Sequence, residues 1–298
     1  MIKRLVLSGG GPNGISQLAV IKYLCDQKIL DLREIKSVYG TSVGTLLGLF
    51  VILEYNLTTI SDFFIKRPWE KVLPLEFENM MEIIQNNGYI DNSFVADVID
   101  MLLSAIEVPS TITFKELYDK TDKLFNVYTV NVDKFTTTIF SHESHPDLSV
   151  KHAILMSCAL PPIFKPLEYN NEFYMDGGIF CDYPINDCLD RFPNKKETLG
   201  IRITREGNTV KYADTISMPN YMLFCIIKLI SYTQKQPTIQ DIYDIKINAK
   251  CNTIDPVLWQ NFLKESERKE MFELGIQSAK QFITTQNLEI PQESQCLV

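Results

Sequence analysis

The chain predicts a three-layer α/β sandwich built on a mostly parallel central sheet. Three observations carry that expectation. The first 55 residues read strand, helix, strand, helix. Strand signals then keep alternating with helical periodicity as far as residue 248. Finally, 298 residues that are 45% hydrophobic, with a mean hydropathy near zero, supply a large buried core.

The elements follow in order. KRLVLS at 3–8 is a short strand that stops at glycines. Residues 14–28 place Ile15, Leu18, Ala19, Tyr23 and Leu24 at helical spacing. A second strand at 35–39 completes a βαβ unit, so the two strands should be parallel with a right-handed crossover. Residues 42–55 form the next helix. Residues 58–110 change character: FENMMEIIQNN and NSFVADVIDMLLSAI are amphipathic helical segments joined through Asn-Asn-Gly, and no strand signal occurs there. This stretch reads either as a helical insertion or as ordinary outer-layer helices. Strands return at 125–132 and 136–140. A helix at 148–158 is stopped by the prolines of ALPPIFKP, and a short strand at 172–175 runs into Asp176-Gly177-Gly178. Later strands fall at 199–204 and 243–248, and later helical runs at 216–232 and 258–282. The organisation is a catalytic domain over 1–205, holding the 58–110 insertion, and an extension over 206–298 packed on the same domain.

Composition narrows the function. The net charge of −8 comes with no basic stripe, which argues against a nucleic-acid partner. Attraction to a membrane would have to come from local apolar surface or a few local Lys and Arg residues. Seven scattered cysteines with no CxxC pair predict free thiols in a reducing compartment, with neither a disulfide frame nor a zinc site. The opening apolar run is broken by glycine and reads as a core strand, not a signal peptide. Apolar stretches at 43–53 and 221–230 fall short of the roughly 20 residues a membrane span needs. The expectation is an intracellular protein.

Three motifs carry chemistry. Ser8-Gly9-Gly10-Gly11-Pro12-Asn13-Gly14 lies between a strand and a helix. Its glycines let backbone approach a ligand, and the following helix offers free N–H groups to an anion. A dinucleotide site would need an acidic residue at the end of the second strand, but that strand ends in Tyr39-Gly40-Thr41-Ser42. The second motif, Gly40-Thr41-Ser42-Val43-Gly44, sits where a strand hands over to a helix, the setting of a nucleophile elbow. A serine nucleophile needs a base. The three histidines do not suit: His142 and His145 read as solvated residues of a polar loop and His152 as a helix-face residue. Asp176, at a strand end before Gly177-Gly178, can serve instead if burial raises its pKa. Each motif alone also reads as a plain turn or a close helix–sheet contact.

Taken together and in this order, the motifs resemble those of the patatin-like phospholipase family. The glycine-rich loop follows the first strand, GTSVG follows the second, and DGG lies 134 residues after the serine. Between them, Ser157, Ala159, Pro161, Phe164 and Pro166 match a Ser-x-Ala-x-Pro-x-x-Phe-x-Pro segment, and DYPIN follows the aspartate. The resemblance covers roughly residues 3–190. It implies a Ser–Asp dyad with Ser42 as nucleophile and Asp176 as proton acceptor. It implies an oxyanion loop from Gly9 to Gly14, flanking elbow residues Gly40, Thr41, Val43 and Gly44, and a base loop of Gly177 and Gly178. It also implies cleavage of phospholipid or acylglycerol esters through an acyl-serine, without metal or cofactor, and transient contact with a membrane or lipid-droplet surface. Ser8 and Asn13 depart from the family's usual aspartate and basic residue, so Asn13 leaves a loop-ordering or phosphate-attracting role unfilled. A lipid-binding relative without activity, or a nucleotide binder stabilised by NAD or ATP, are the alternatives. Met80, Met81, Ile83, Ile84 and Leu102 are candidate lining of a lid over the acyl site.

Overall fold

β1 (Arg4–Leu7), β2 (Ser37–Thr41) and β7 (Thr198–Thr204) are buried almost throughout, as strands covered on both faces must be. Their side chains sort by the period of two. Leu5, Leu7, Val38 and Val127 point into the larger core, while Val6, Tyr39 and Tyr128 point into a smaller one on the opposite face. The chain is described from a computed structural model that covers residues 1–73, 92–161, 163–204, 242–251, 253 and 256–288, with residues 221, 224, 225, 228, 229 and 232. The predicted helical runs at 77–87 and, in the main, 216–232 lie outside the described residues, as do Met80, Met81, Ile83 and Ile84.

Among the described residues the sheet has eight strands. β3 (Leu124–Asn131), β2, β1, β7 and β8 (Tyr243–Asn248) pair in parallel, in that order. β4 (Thr136–Phe140) and β6 (Glu172–Asp176) pair antiparallel to β3, and β5 (Leu167–Tyr169) pairs antiparallel to β6. Helices flank the sheet on both faces, giving the expected α/β sandwich. β3 is long enough to serve two partners along one edge. Its first part pairs with β2 up to Tyr128↔Thr41, and its last part pairs with β6 from Thr129↔Asp176 onward. β4 takes the other edge.

α1 (Gly14–Asp26) and α2 (Val43–Ile52) pack on the larger-core face. α3 (Leu57–Lys66) and α4 (Ser93–Ser104) are the described helices of the 58–110 stretch. Trp69, fully buried, joins them by ring contacts to Phe63, Phe64 and Phe94. Among the described residues, four helices and strands went unpredicted: α3, which precedes both helical segments read in the 58–110 stretch, and three short elements. α5 (Phe114–Thr121) begins with a Thr113/Glu116 capping box, while α7 (Ile185–Arg191) and β5 span only seven and three residues. α6 (Val150–Ser157) lies within the predicted helix. The single helical run expected at 258–282 is instead two helices, α8 (Pro256–Leu263) and α9 (Glu265–Thr285). Lys264 between them is extended, at φ −91° and ψ 127°. Arg268, buried one turn into α9, donates to the Phe262 and Leu263 carbonyls that end α8 and to the Ile65 and Arg67 carbonyls near the end of α3. A cation at two helix C-termini stabilises the break against a continuous helix. No helix among the described residues is long and apolar enough to cross a membrane.

Candidate active site

Ser42 occupies the bend between β2 and α2 with φ 53° and ψ −129°. A non-glycine residue rarely adopts this conformation, and holding it costs about 1–3 kcal/mol. The surroundings enforce it. The Ser42 N–H donates to Ser157 Oγ at 2.9 Å, and that hydroxyl donates to the Tyr128 carbonyl at 2.6 Å. The Ser42 carbonyl accepts from Thr45 N and Thr45 Oγ1. Val43 opens α2, and Gly44 lets the first turn press onto the end of β1. A Cβ there would meet the Leu7 and Ser8 carbonyl oxygens at 2.6 and 2.7 Å. Gly40 and Thr41 close β2, and Thr41 Oγ1 donates to the Cys181 carbonyl.

Asp176 ends β6, one β3 rung beyond Thr41. β3 therefore acts as a ruler that sets the strand end carrying the carboxylate beside the elbow. The Asp176 N–H donates to the Ala159 carbonyl at 3.0 Å. The stretch 157–159 thus holds both partners, Ser42 through Ser157 Oγ and Asp176 through the Ala159 carbonyl. The base loop turns at once: Gly177–Ile179 is a single 3-10 turn, and Gly178 N–H donates to Asp176 Oδ1 at 2.7 Å. Gly177 has no room for a side chain, because a Cβ would lie 2.3 Å from the Tyr128 carbonyl oxygen.

The carboxyl is 2% exposed. Burial pushes its pKa from 3.8 up to about 7; hydrogen bonding from the Ser42 hydroxyl and Gly178 N–H opposes the rise, and the charge of Asp182 adds to it. Asp176 Oδ2 has no fully formed hydrogen bond. Oδ2 thus retains free acceptor capacity. Cys158, between the two clamp residues, feels Ser42, Thr45 and Asp176; burial and the Asp176 charge raise its pKa, keeping it a neutral thiol.

The glycine loop reaches the same point. Gly9 N–H donates to the Asp182 carbonyl, and a Cβ on Gly9 would lie 3.3 Å from Ser42 Cβ. Gly11–Asn13 form a 3-10 turn that runs into α1 at Gly14, with Pro12 and Asn13 buried. Asn13 N–H is used by the Gly10 carbonyl, whereas the Gly10 and Gly11 N–H groups have no protein acceptor among the described residues. Asn13 is buried with its Nδ2 unpaired and does not line the cleft beside Ser42.

That cleft encloses about 850 Å³ of non-atom space, counting its open mouth. Its walls are apolar and include Leu46, Val98, Leu160, Phe164, Trp259 and Phe262. Leu102 is buried in the core and does not line it. The histidines stand elsewhere, and two are not the solvated loop residues expected. His142 stacks on Tyr118, and His145 packs edge-on against Phe140, where burial lowers its pKa. His152 bonds the Glu168 carbonyl. Sequence reasoning matched Ser157 and Ala159 to a motif but gave them no task. It had no signal for Trp259 or Phe262, which reach the cleft from the far end of the chain as ordinary apolar residues of α8.

Comparison with known proteins agrees with this architecture. Residues 5–189 match the family model of patatin-like phospholipases. A probable lipid hydrolase of Invertebrate iridescent virus 6 is 29% identical over 196 residues, which span 65% of this chain and 65% of that protein. An uncharacterized protein of Acanthamoeba polyphaga mimivirus is 25% identical over 95% of this chain and 94% of its own. The crystal structure of VipD from Legionella pneumophila superposes with a TM-score of 0.57 at 16% identity, over 95% of this chain and 67% of that one. With a family model covering well over half its length, this chain belongs to the patatin-like phospholipase family.

Proposed function

We propose that the protein hydrolyses fatty acyl esters of phospholipids or acylglycerols through an acyl-serine intermediate, with Ser42 as nucleophile and Asp176 as base. The observation that carries this reading is a buried carboxylate with one free oxygen on the β3 rung next to that of Thr41, the residue before a strained serine at the wall of an apolar cleft. As Ser42 Oγ attacks the ester carbonyl, its proton passes to Asp176 Oδ2. The carbonyl oxygen becomes an oxyanion, for which the unused Gly10 and Gly11 amides are the donors. Such donors contribute about 2.7–4 kcal/mol each to barrier lowering. Collapse breaks the ester C–O bond, and the leaving alcohol takes the proton from Asp176. Water then attacks the acyl-serine, giving its proton to Asp176, and Ser42 Oγ leaves with that proton as the fatty acid departs. The cleft suits an acyl tail, since each buried methylene favours binding by about 0.8 kcal/mol.

A fluorophosphonate probe tests the nucleophile and should label the native protein but not Ser42→Ala. Hydrolysis of a panel of phospholipid, lysophospholipid and triacylglycerol micelles should vanish in Ser42→Ala and in Asp176→Asn, with unchanged circular dichroism. Full turnover in either folded variant refutes the dyad.

A further inference from the structure

The end of the sheet that carries the candidate site also carries aromatic side chains that lie outside the cleft lining and that neither the proposed chemistry nor the core uses. The β3–β4 hairpin starts at the end of the strand that aligns Ser42 and Asp176, on the side where β2 delivers Ser42. Its last paired rung, Asn131↔Thr136, lies two residues past the rung of Asp176. That is a rise of about 7 Å beyond the carboxylate, before the loop itself is counted. At the tip, Phe135 is 59% exposed and holds φ 51°, a left-handed conformation that suits asparagine or glycine better than a bulky aromatic. Its ring packs edge-on against Phe180 at 4.9 Å, four residues past Asp176 in the base loop. Phe173 of β6, whose carbonyl accepts from Val132 N–H in the hairpin, is also exposed, at 45%.

We propose that Phe135, Phe173 and Phe180 form a docking rim for an uncharged or zwitterionic lipid surface. This rests on the reading of the site as a lipid acyl hydrolase, and three observations select that occupant. Ser42 and Asp176 are 7% and 2% exposed, so a lipid molecule has to leave its aggregate to reach them, which favours holding this end of the sheet against a lipid surface. The aromatics sit on three segments near Asp176: the turn that follows β3, the β6 strand that carries the carboxylate, and the loop after it. Lys134 at the tip pairs with Glu172, Asp133 beside it adds a negative charge, and the chain as a whole carries −8. Anionic surfaces are therefore repelled, and an aromatic wedge at the headgroup level remains as the source of attachment.

Flotation of the full chain with phosphatidylcholine vesicles tests this, in a Ser42→Ala background so that products do not alter the surface. Phe135→Asn should reduce vesicle partitioning by about tenfold or more, the scale expected from withdrawing one aromatic ring from an apolar phase. It also removes the unfavourable φ, so the variant should melt no lower than the parent. In the active background, Phe135→Asn should lower the rate on vesicles and leave kcat/KM on a soluble butyrate ester unchanged. Phe173→Ser provides a second, independent variant with the same expected direction. Undiminished flotation of the double variant, or no flotation of the parent, overturns the proposal. So does a dimer in sedimentation that both variants dissociate while vesicles remain unbound, which would assign the rim to a second copy of the chain. Phe135-dependent flotation without ester hydrolysis by the native protein would uphold the rim and refute the hydrolase reading.

Discussion

Replacing Asp176 by asparagine should stabilise the protein, and the gain should grow with pH. The carboxyl ordinarily titrates near 3.8 and here near 7, a rise caused first by burial. Between those two values the folded state keeps the proton that the unfolded chain releases. Native stability therefore falls as pH rises through this window, and the loss is complete once pH passes about 7. At 1.36 kcal/mol per unit the loss is about 4 kcal/mol. Asparagine has no charge to desolvate, and its amide oxygen still accepts from Gly178 N–H in place of Oδ1. The difference in unfolding free energy between Asp176→Asn and the native protein should thus rise by about 4 kcal/mol from pH 4 to pH 8 and level off above that. At about 2 °C per kcal/mol for a chain of this size, the variant should melt about 8 °C higher at pH 8. Urea titrations and thermal melts of both proteins at matched pH supply the difference curve, in which the other titrating groups cancel. The same ionisation governs activity, because only the carboxylate accepts the Ser42 proton, so the acid limb of kcat/KM should fall at about pH 7. Parallel stability profiles, or a gap that widens toward acid, would refute the claim that Asp176 is held above its ordinary pKa by burial.

Other outcomes follow from the same geometry. Ser42→Gly should be more stable than Ser42→Ala by about 1 kcal/mol in urea titrations, because glycine adopts φ 53° freely while alanine keeps the strain. Ser157→Ala leaves the buried Ser42 N–H and Tyr128 carbonyl unpaired. It should cost about 2–4 kcal/mol of stability and depress kcat more than KM; equal kcat in the variant would show that Ser157 does not position the elbow. Val98→Phe fills part of the cleft. By excluding about two methylenes it should lower kcat/KM for a long-chain ester by about 15-fold relative to a butyrate ester, measured as a chain-length series.

The order of strands and helices was legible in the residues because each element advertises itself locally. Leu5 and Leu7 alternate with Val6, and Gly44 follows a β-branched run at the start of an apolar helix. Periods of two and 3.6 depend only on which face of an element is buried, so one chain read in sequence suffices to see them. The same reading singled out Ser42 and Asp176 as candidates, because glycine-flanked positions at strand ends are uncommon and chemically suggestive. It misjudged the break at Lys264, which depends on Arg268 finding the ends of α8 and α3, contacts of up to 203 residues in sequence separation. It misjudged His145 as solvated, because the rings of Phe140 and Tyr169 that cover it come from β4 and β5. Only the tertiary structure decided that Thr41 and Asp176 take consecutive rungs of β3, that Ser157 and Ala159 clamp them, and that Trp259 and Phe262 wall the cleft. Local sequence specifies which residues seek burial; the register of the sheet specifies which distant residues meet, and that register is a property of all the strands at once.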